Sequence, residues 1–184
     1  MGEAGAGISL LLHGLQSAIN VGAVLRMAES FGIGVDIWDE AGLFADPAKR
    51  TRIADFACGA VHRGAFRLLV DQPMAHGTAV RQIATCLTDD AVALTDFRFQ
   101  PGDRIAIGNE YDGLPRTFIA AADVRLRIPM ANVWTPKIPS SNPIDPHRPT
   151  RDPADGAPVL SAAMAAAIVS YVAFSQSLAH RPTA

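Results

Sequence analysis

Cysteine is nearly missing from this chain: Cys58 and Cys86 are the only two in 184 residues, and they do not form a CxxC pair. That excludes a disulfide framework and a thiolate metal cluster, and it suits a reduced, cytoplasmic protein. The five histidines, His13, His62, His76, His147 and His180, show no metal-ligand spacing either. No metal site is expected, and each reads as a surface or satisfied side chain. Charge of one sign is also lacking. A net charge of −2 provides no global basic field, so composition by itself does not point to nucleic acid. Any such contact needs a local patch, for which Lys49, Arg50, Arg52, Arg63 and Arg67 are the candidates. No uninterrupted apolar stretch is long enough to cross a bilayer, and Met1 to Gly7 lacks the basic start and apolar middle of a secretory signal. No membrane association is expected. A GxGxxG loop after the first strand is absent too. Gly5-Ala6-Gly7 precedes that strand and Gly32-Ile33-Gly34 ends a helix, which disfavours a nicotinamide-dependent enzyme. Ser140-Ser141 has no helix-borne base nearby, which disfavours a serine hydrolase.

What the chain does have is apolar content, 49% of residues against 18% charged, enough for one well-cored domain spanning 1–184. Strand-like and helix-like runs alternate along it. Strands are expected at Ile8 to Leu12, Val35 to Trp38, Ala65 to Val70, Ala91 to Thr95, Arg104 to Ile107 and Val124 to Ile128. Helices are expected from Asn20 to Phe31, from Pro47 to about Ala60, from Met74 to Cys86, from Pro115, and from Val159 to about Leu178. Such alternation indicates an α/β fold with a mostly parallel sheet flanked by helices. Between Pro129 and Pro158 the pattern breaks: eight of the thirteen prolines fall there, which marks a Pro-rich inserted loop at about 131–158. Within it, Trp134 and Lys137 could stack on bases or ribose, or could belong to a plain surface excursion.

Two segments carry candidate chemistry. Gly108-Asn109-Glu110-Tyr111-Asp112-Gly113-Leu114-Pro115 follows a short buried strand, and an acid between two glycines there marks a sharp loop that a ligand can approach closely. Ligands of open α/β sheets collect at such carboxyl ends. Asn109, Tyr111 and Asp112 could touch a ligand or simply form the turn. In the first helix, Asn20 suits an N-cap. Arg26, six residues on, is rotated about 120° further round, just outside the apolar stripe. Its planar fork of donors suits a phosphate or a developing oxyanion; the alternative is an i,i+3 pair with Glu29.

Taken in order, three motifs resemble the SpoU/TrmH family of the SPOUT superfamily, S-adenosylmethionine-dependent RNA 2′-O-ribose methyltransferases. They are Asn20-Val21-Gly22-Ala23-Val24-Leu25-Arg26 with Ala28-Glu29-Ser30-Phe31-Gly32, Ile107 to Leu114, and Ile128-Pro129-Met130 followed by the alanine-rich helix. Ala54-Asp55-Phe56-Ala57-Cys58-Gly59-Ala60 is also similar to that family. The resemblance implies a C-terminal deep trefoil knot and a homodimer with its active site near the subunit interface. It further implies a tRNA or rRNA substrate and S-adenosyl-L-methionine held in the knot loops. It implies catalytic roles for Arg26, acting on the ribose hydroxyl, with Asn20 and Glu110 organising the site. The cofactor would be held around Leu94, Thr95, Gly108, Asn109, Glu110, Gly113, Ile128, Met130, Leu160 and Ser161. Two departures stand out. The family's Ser-Leu-Asn-Val reads Val159-Leu160-Ser161-Ala162 here, and the Pro-rich segment precedes it. The second reading is therefore a SPOUT-fold RNA-binding protein that has lost turnover.

Overall fold

The computed structural model of the protein describes residues 7–63, 66–73, 80–109, 112–131 and 160–179. Short segments rich in leucine, isoleucine, valine or phenylalanine give β1 (Ser9–His13), β2 (Gly34–Trp38), β3 (Phe66–Leu68), β4 (Gln82–Thr85), β5 (Val92–Ala93), β6 (Arg104–Gly108) and β7 (Val124–Arg127). Between and after them lie α1 (Ala18–Phe31), α2 (Pro47–Ala57), α3 (Ala60–Arg63), α4 (Arg116–Ala121) and α5 (Ala162–Ala179). The strands form one sheet in the order β3-β2-β1-β6-β4-β7-β5, with every pairing parallel. The expected mostly parallel α/β sheet is therefore present. Strand β6 lies between β1 and β4, registering Leu10 with Ile105 and Ile83 with Ile105.

Because side chains alternate across a strand, β1 feeds two cores. Leu10 and Leu12 join Val35, Ile37, Ile83, Ile105 and Ile107 on the face covered by α1, α2 and α5. Leu11 joins Ala84, Ala106, Leu114 and Phe118 on the face covered by α4. Burial on both sides explains why the central strands read as continuous apolar runs rather than as alternating ones. Helices α1 and α2 touch at Gly22, where a Cβ would stand 2.6 Å from the Ile53 carbonyl oxygen and 2.7 Å from the Phe56 Cβ. The motif glycine is thus a packing residue.

Three boundaries differ from expectation. Helix α1 begins earlier, at Ala18, because Ser17 takes the extended N-cap conformation and its hydroxyl accepts from the Asn20 N–H at 3.2 Å. Asn20 is inside the first turn and is not the cap. Helix α2 is capped by Asp46 and stops at Ala57, since Cys58 adopts a left-handed φ of 49° before Gly59 at 88°. The helix expected from Met74 to Cys86 is overturned at its end: Gln82–Thr85 is β4, clamped between β6 and β7. Cys86 follows that strand, its N–H donating to the Leu126 carbonyl, so its helical context is also corrected. Tertiary pairing overrides the helix-favouring Arg81, Gln82 and Ala84. Residues 74–79 of that expected helix lie outside the described residues, as do 132–159 with Trp134, Lys137 and Ser140-Ser141.

Helix α5 modifies another expectation. Its 18 residues carry no charged side chain, so by length and composition it could cross a membrane. Yet Ala162, Ala166, Val169 and Ala173 are buried in the sheet core. The Gln176 amide donates to the Phe97 carbonyl at 2.9 Å and accepts from the Phe99 N–H at 3.0 Å. It is a core helix with one open side, where Met164, Ile168, Tyr171 and Leu178 stay exposed.

Candidate active site

The loop after β6 is shaped by backbone crowding. A Cβ on Gly108 would lie 2.2 Å from the Gly113 carbonyl carbon and 2.3 Å from the Leu114 nitrogen, so only glycine lets the chain fold back there. Asn109 and Gly113 close the return with an antiparallel bridge, and Gly113 takes a φ of 70°. The Asn109 side-chain oxygen accepts from the Asp112 N–H at 2.7 Å, a turn role for both residues. Leu114 then anchors the loop in the α4-side core. Glu110 and Tyr111 lie outside the described residues.

The other expected cofactor residues stand at the carboxyl edge of the same sheet or beside it. Leu94 is buried just past β5, with its N–H donating to the Arg127 carbonyl at 2.8 Å, and Thr95 beside it is exposed. Ile128 and Met130, half-buried, follow β7. Leu160 and Ser161, also half-buried, lead into α5. The Ser161 hydroxyl accepts from the Met164 N–H at 3.2 Å and so caps that helix, a task an asparagine performs equally well. The side chains at these turns are aliphatic, hydroxyl or thioether and carry no charge, a chemistry that suits an adenine ring and a thioether chain better than a polyphosphate, which would call for cations.

Arg26 is exposed on α1, eight residues past Ala18, or about 12 Å along the axis from the end nearest the carboxyl edge. Its guanidinium has no hydrogen bond or ion pair among the described residues. The alternative pairing with Glu29 does not form, because Glu29 takes the Arg63 guanidinium in a two-pronged ion pair. That pair holds the Glu29 carboxyl below its ordinary range and raises the Arg63 guanidinium. The expected basic patch is thereby thinned. Arg67 is also engaged, bidentate to Asp36 at 2.9 and 3.0 Å, while Arg50 and Arg52 stay exposed on α2.

One functional candidate escaped the sequence reading. His13, at the end of β1, is 3% exposed and packs edge-on against the Phe118 ring at 5.6 Å. Burial lowers its imidazole below the ordinary value of 6.5, against the opposing pull of Glu40 and of a hydrogen bond with its own backbone. Its Nε2 has no hydrogen-bond partner among the described residues, so it is not the satisfied histidine that was expected. His13 opens on a cleft of about 310 Å³ that it shares with Glu40, Gln72, Asn109, Asp112 and Arg116. The signal available in sequence was its place at a strand's carboxyl end; isolated from other ligand-type residues, it gave no spacing to notice.

Residues 7–135, well over half the chain, match the model of the SpoU rRNA Methylase family. The chain belongs to that family. It is 29% identical over 126 residues to a tRNA (cytidine(34)-2′-O)-methyltransferase from Ancylobacter novellus, a match covering 67% of this chain and 78% of the relative. A solved structure concerned with 2′-OH methylation of C/U34 on tRNA superposes with a TM-score of 0.65 at 23% identity, covering 95% of this chain and 97% of the other. The SpoU methyltransferase AviRb from Streptomyces viridochromogenes, in complex with AdoMet, gives 0.67 at 22% identity, over 97% of this chain and 63% of AviRb. These superpositions establish the SpoU fold. The matched segment takes in Arg26 and the loop from Gly108 to Leu114.

Proposed function

We propose that the protein is an S-adenosylmethionine-dependent RNA 2′-O-ribose methyltransferase acting on tRNA or rRNA. The observation that carries this reading is the SpoU family match across residues 7–135, which includes both the arginine helix and the loop after β6. The curated relative modifies cytidine 34 of tRNA, which favours a tRNA as the substrate. The cofactor supplies a methyl group that is already electrophilic at its sulfonium. The turns at Leu94-Thr95, Gly108-Asn109, Gly113, Ile128 to Met130 and Leu160-Ser161 would hold the adenosyl portion by main-chain groups and aliphatic contact, and Glu110 keeps the site-organising role that the family resemblance implies for it. Asn20 and Arg26 serve the ribose. The exposed Arg26 guanidinium, with five donors, stabilises the negative charge that develops on the 2′-oxygen as it takes the methyl group and gives up its proton to solvent water.

Arg26 stands some distance below the carboxyl edge of its own sheet, which favours a homodimer whose active site lies near the subunit interface. The exposed stripe Met164, Ile168, Tyr171 and Leu178 on α5 supplies an apolar surface for a second copy. The deep trefoil knot belongs to the same reading, supported by the SpoU family match rather than by the strand order. So do the single domain with its Pro-rich insert and a cytoplasmic location beside the RNA.

Tritium transfer from labelled S-adenosylmethionine to total tRNA and rRNA tests the activity. Arg26→Ala is expected to slow transfer by at least about a hundredfold, equivalent to about 2.7 kcal/mol of barrier, with the calorimetric affinity for S-adenosylmethionine kept. Transfer by the variant at the wild-type rate removes Arg26 from the mechanism. Cofactor binding with no transfer to any RNA favours the silent RNA-binding protein instead. Ser161, the departure that motivates that second reading, retains the capping bond at the start of α5.

A further inference from the structure

Glu29 stands three residues past Arg26 on α1, a spacing that sets the two side chains next to each other on the helix surface. A carboxylate there can draw the Arg26 guanidinium onto itself. In this fold it is engaged elsewhere. Arg63, the last residue of α3, takes both Glu29 oxygens with its Nε and Nη2. Its Nη2 also donates to the Cys58 carbonyl at 3.1 Å, so the fork is fixed at a third point. The turn between α2 and α3 makes room for it. Cys58 at a φ of 49° and Gly59 at 88° swing the chain round there. A Cβ on Gly59 would stand 2.6 Å from Arg63 Nη1, so the bare glycine leaves the guanidinium its seat. Arg26 meanwhile is exposed and has no ion pair among the described residues.

We infer that Arg63 is a positioning residue for methyl transfer: by holding Glu29 it keeps the Arg26 guanidinium free for the ribose and cancels a negative charge near the reacting oxygen. This rests on the proposed methyltransferase reading. Without Arg63, an ionised Glu29 carboxylate lies within one helical turn of Arg26 and pairs with it. Its field also opposes the negative charge that develops on the 2′-oxygen. A guanidinium that must first leave a carboxylate is no longer preorganised for that charge. Arg63 therefore acts through Glu29 and Arg26, with no contact of its own to the RNA.

A rate and a resonance test it separately. With RNA and labelled S-adenosylmethionine both saturating, Arg63→Ala is expected to slow single-turnover methyl transfer by about three- to tenfold, from an i,i+3 attraction and an uncancelled charge together. Glu29→Gln is expected to transfer at the wild-type rate, and adding it to Arg63→Ala to restore that rate. An ion pair that only braces α1 against α3 behaves differently: Glu29→Gln alone then loses as much as Arg63→Ala, and the double variant recovers nothing. Either result overturns the proposal, as does an unchanged rate in Arg63→Ala. In protein with nitrogen-15 arginines, the Arg26 Nε–Hε resonance, assigned by its loss in Arg26→Lys, is expected to shift in Arg63→Ala and to return in the double variant. A resonance that stays in place in Arg63→Ala overturns the proposal with no RNA present. If the wild type methylates no RNA, the proposed activity fails, while the resonance still judges whether Arg63 keeps Arg26 free.

Discussion

Replacing Gly108 by alanine puts one methyl group where the chain has no space for it. The new Cβ would stand 2.2 Å from the Gly113 carbonyl carbon, 2.3 Å from the Leu114 nitrogen and 2.6 Å from the Gly113 oxygen. Carbon atoms in contact rest about 3.5–4.0 Å apart, so the return strand of the loop must retreat by more than about 1 Å. It cannot move freely. The Asn109–Gly113 bridge and the 2.7 Å bond from the Asp112 N–H to the Asn109 side chain tie it on one side. On the other, Leu114, 4% exposed, is fixed in the core with Phe118. Overpacking of this sort costs about 1–3 kcal/mol. At about 2–4 °C per kcal/mol for a chain of this size, a cost near 2 kcal/mol lowers the melting temperature by about 4–8 °C. If the loop holds the cofactor, S-adenosylmethionine affinity measured by calorimetry on the folded variant falls by at least about tenfold, or 1.4 kcal/mol. A variant that melts within about 1 °C of the wild type with full cofactor affinity refutes the argument. A stability loss without an affinity loss refutes only the assignment of the loop to the cofactor.

Other perturbations probe the frame around the site. Asp103, 1% exposed, accepts from Arg81 at 2.8 and 2.7 Å and from the Gln100 N–H at 2.8 Å, and Arg81 also lies over the Phe97 ring. Asp103→Asn is expected to cost about 2–3 kcal/mol in urea unfolding, since a partly buried guanidinium loses its charge partner; a change under about 0.5 kcal/mol contradicts that. His13 sets a pH dependence. Its folded-state pKa is depressed below 6.5, so the unfolded chain binds the proton more readily. The stabilisation from keeping His13 neutral is complete above that value and is lost as pH falls through the folded pKa. Melting curves from pH 7.5 down to 5 should therefore show a decline that His13→Phe reduces; identical declines in both proteins exclude His13 as its source.

Much of this molecule was legible because local and tertiary demands agree. The central strands β1 and β6 are apolar on both faces, β2 is apolar on one, and the Arg26 helix repeats at helical spacing, so their placement followed from pattern. Gln82–Thr85 shows where that agreement fails: residues with helical preference were drawn into a strand by neighbours from distant parts of the chain. The site divides in the same way. Glycines and a buried-strand exit announced the loop at Gly108. His13 was missed because its significance lies in what surrounds it, namely Phe118 and Asp112, about a hundred residues onward. Asn20 was displaced from the cap by Ser17, a competitor of equal propensity three residues earlier.

The place of β6 in the sheet bears on how the protein is made. Strand β1 ends at residue 13, yet one of its two partners does not begin until residue 104. A ribosome adding about 5–20 residues per second leaves that flank of β1 bare for some 5–20 s. During that interval the nascent chain displays an apolar, hydrogen-bond-hungry border, and closing so long a loop is slow. Slow refolding from denaturant is the outcome expected of that sheet order.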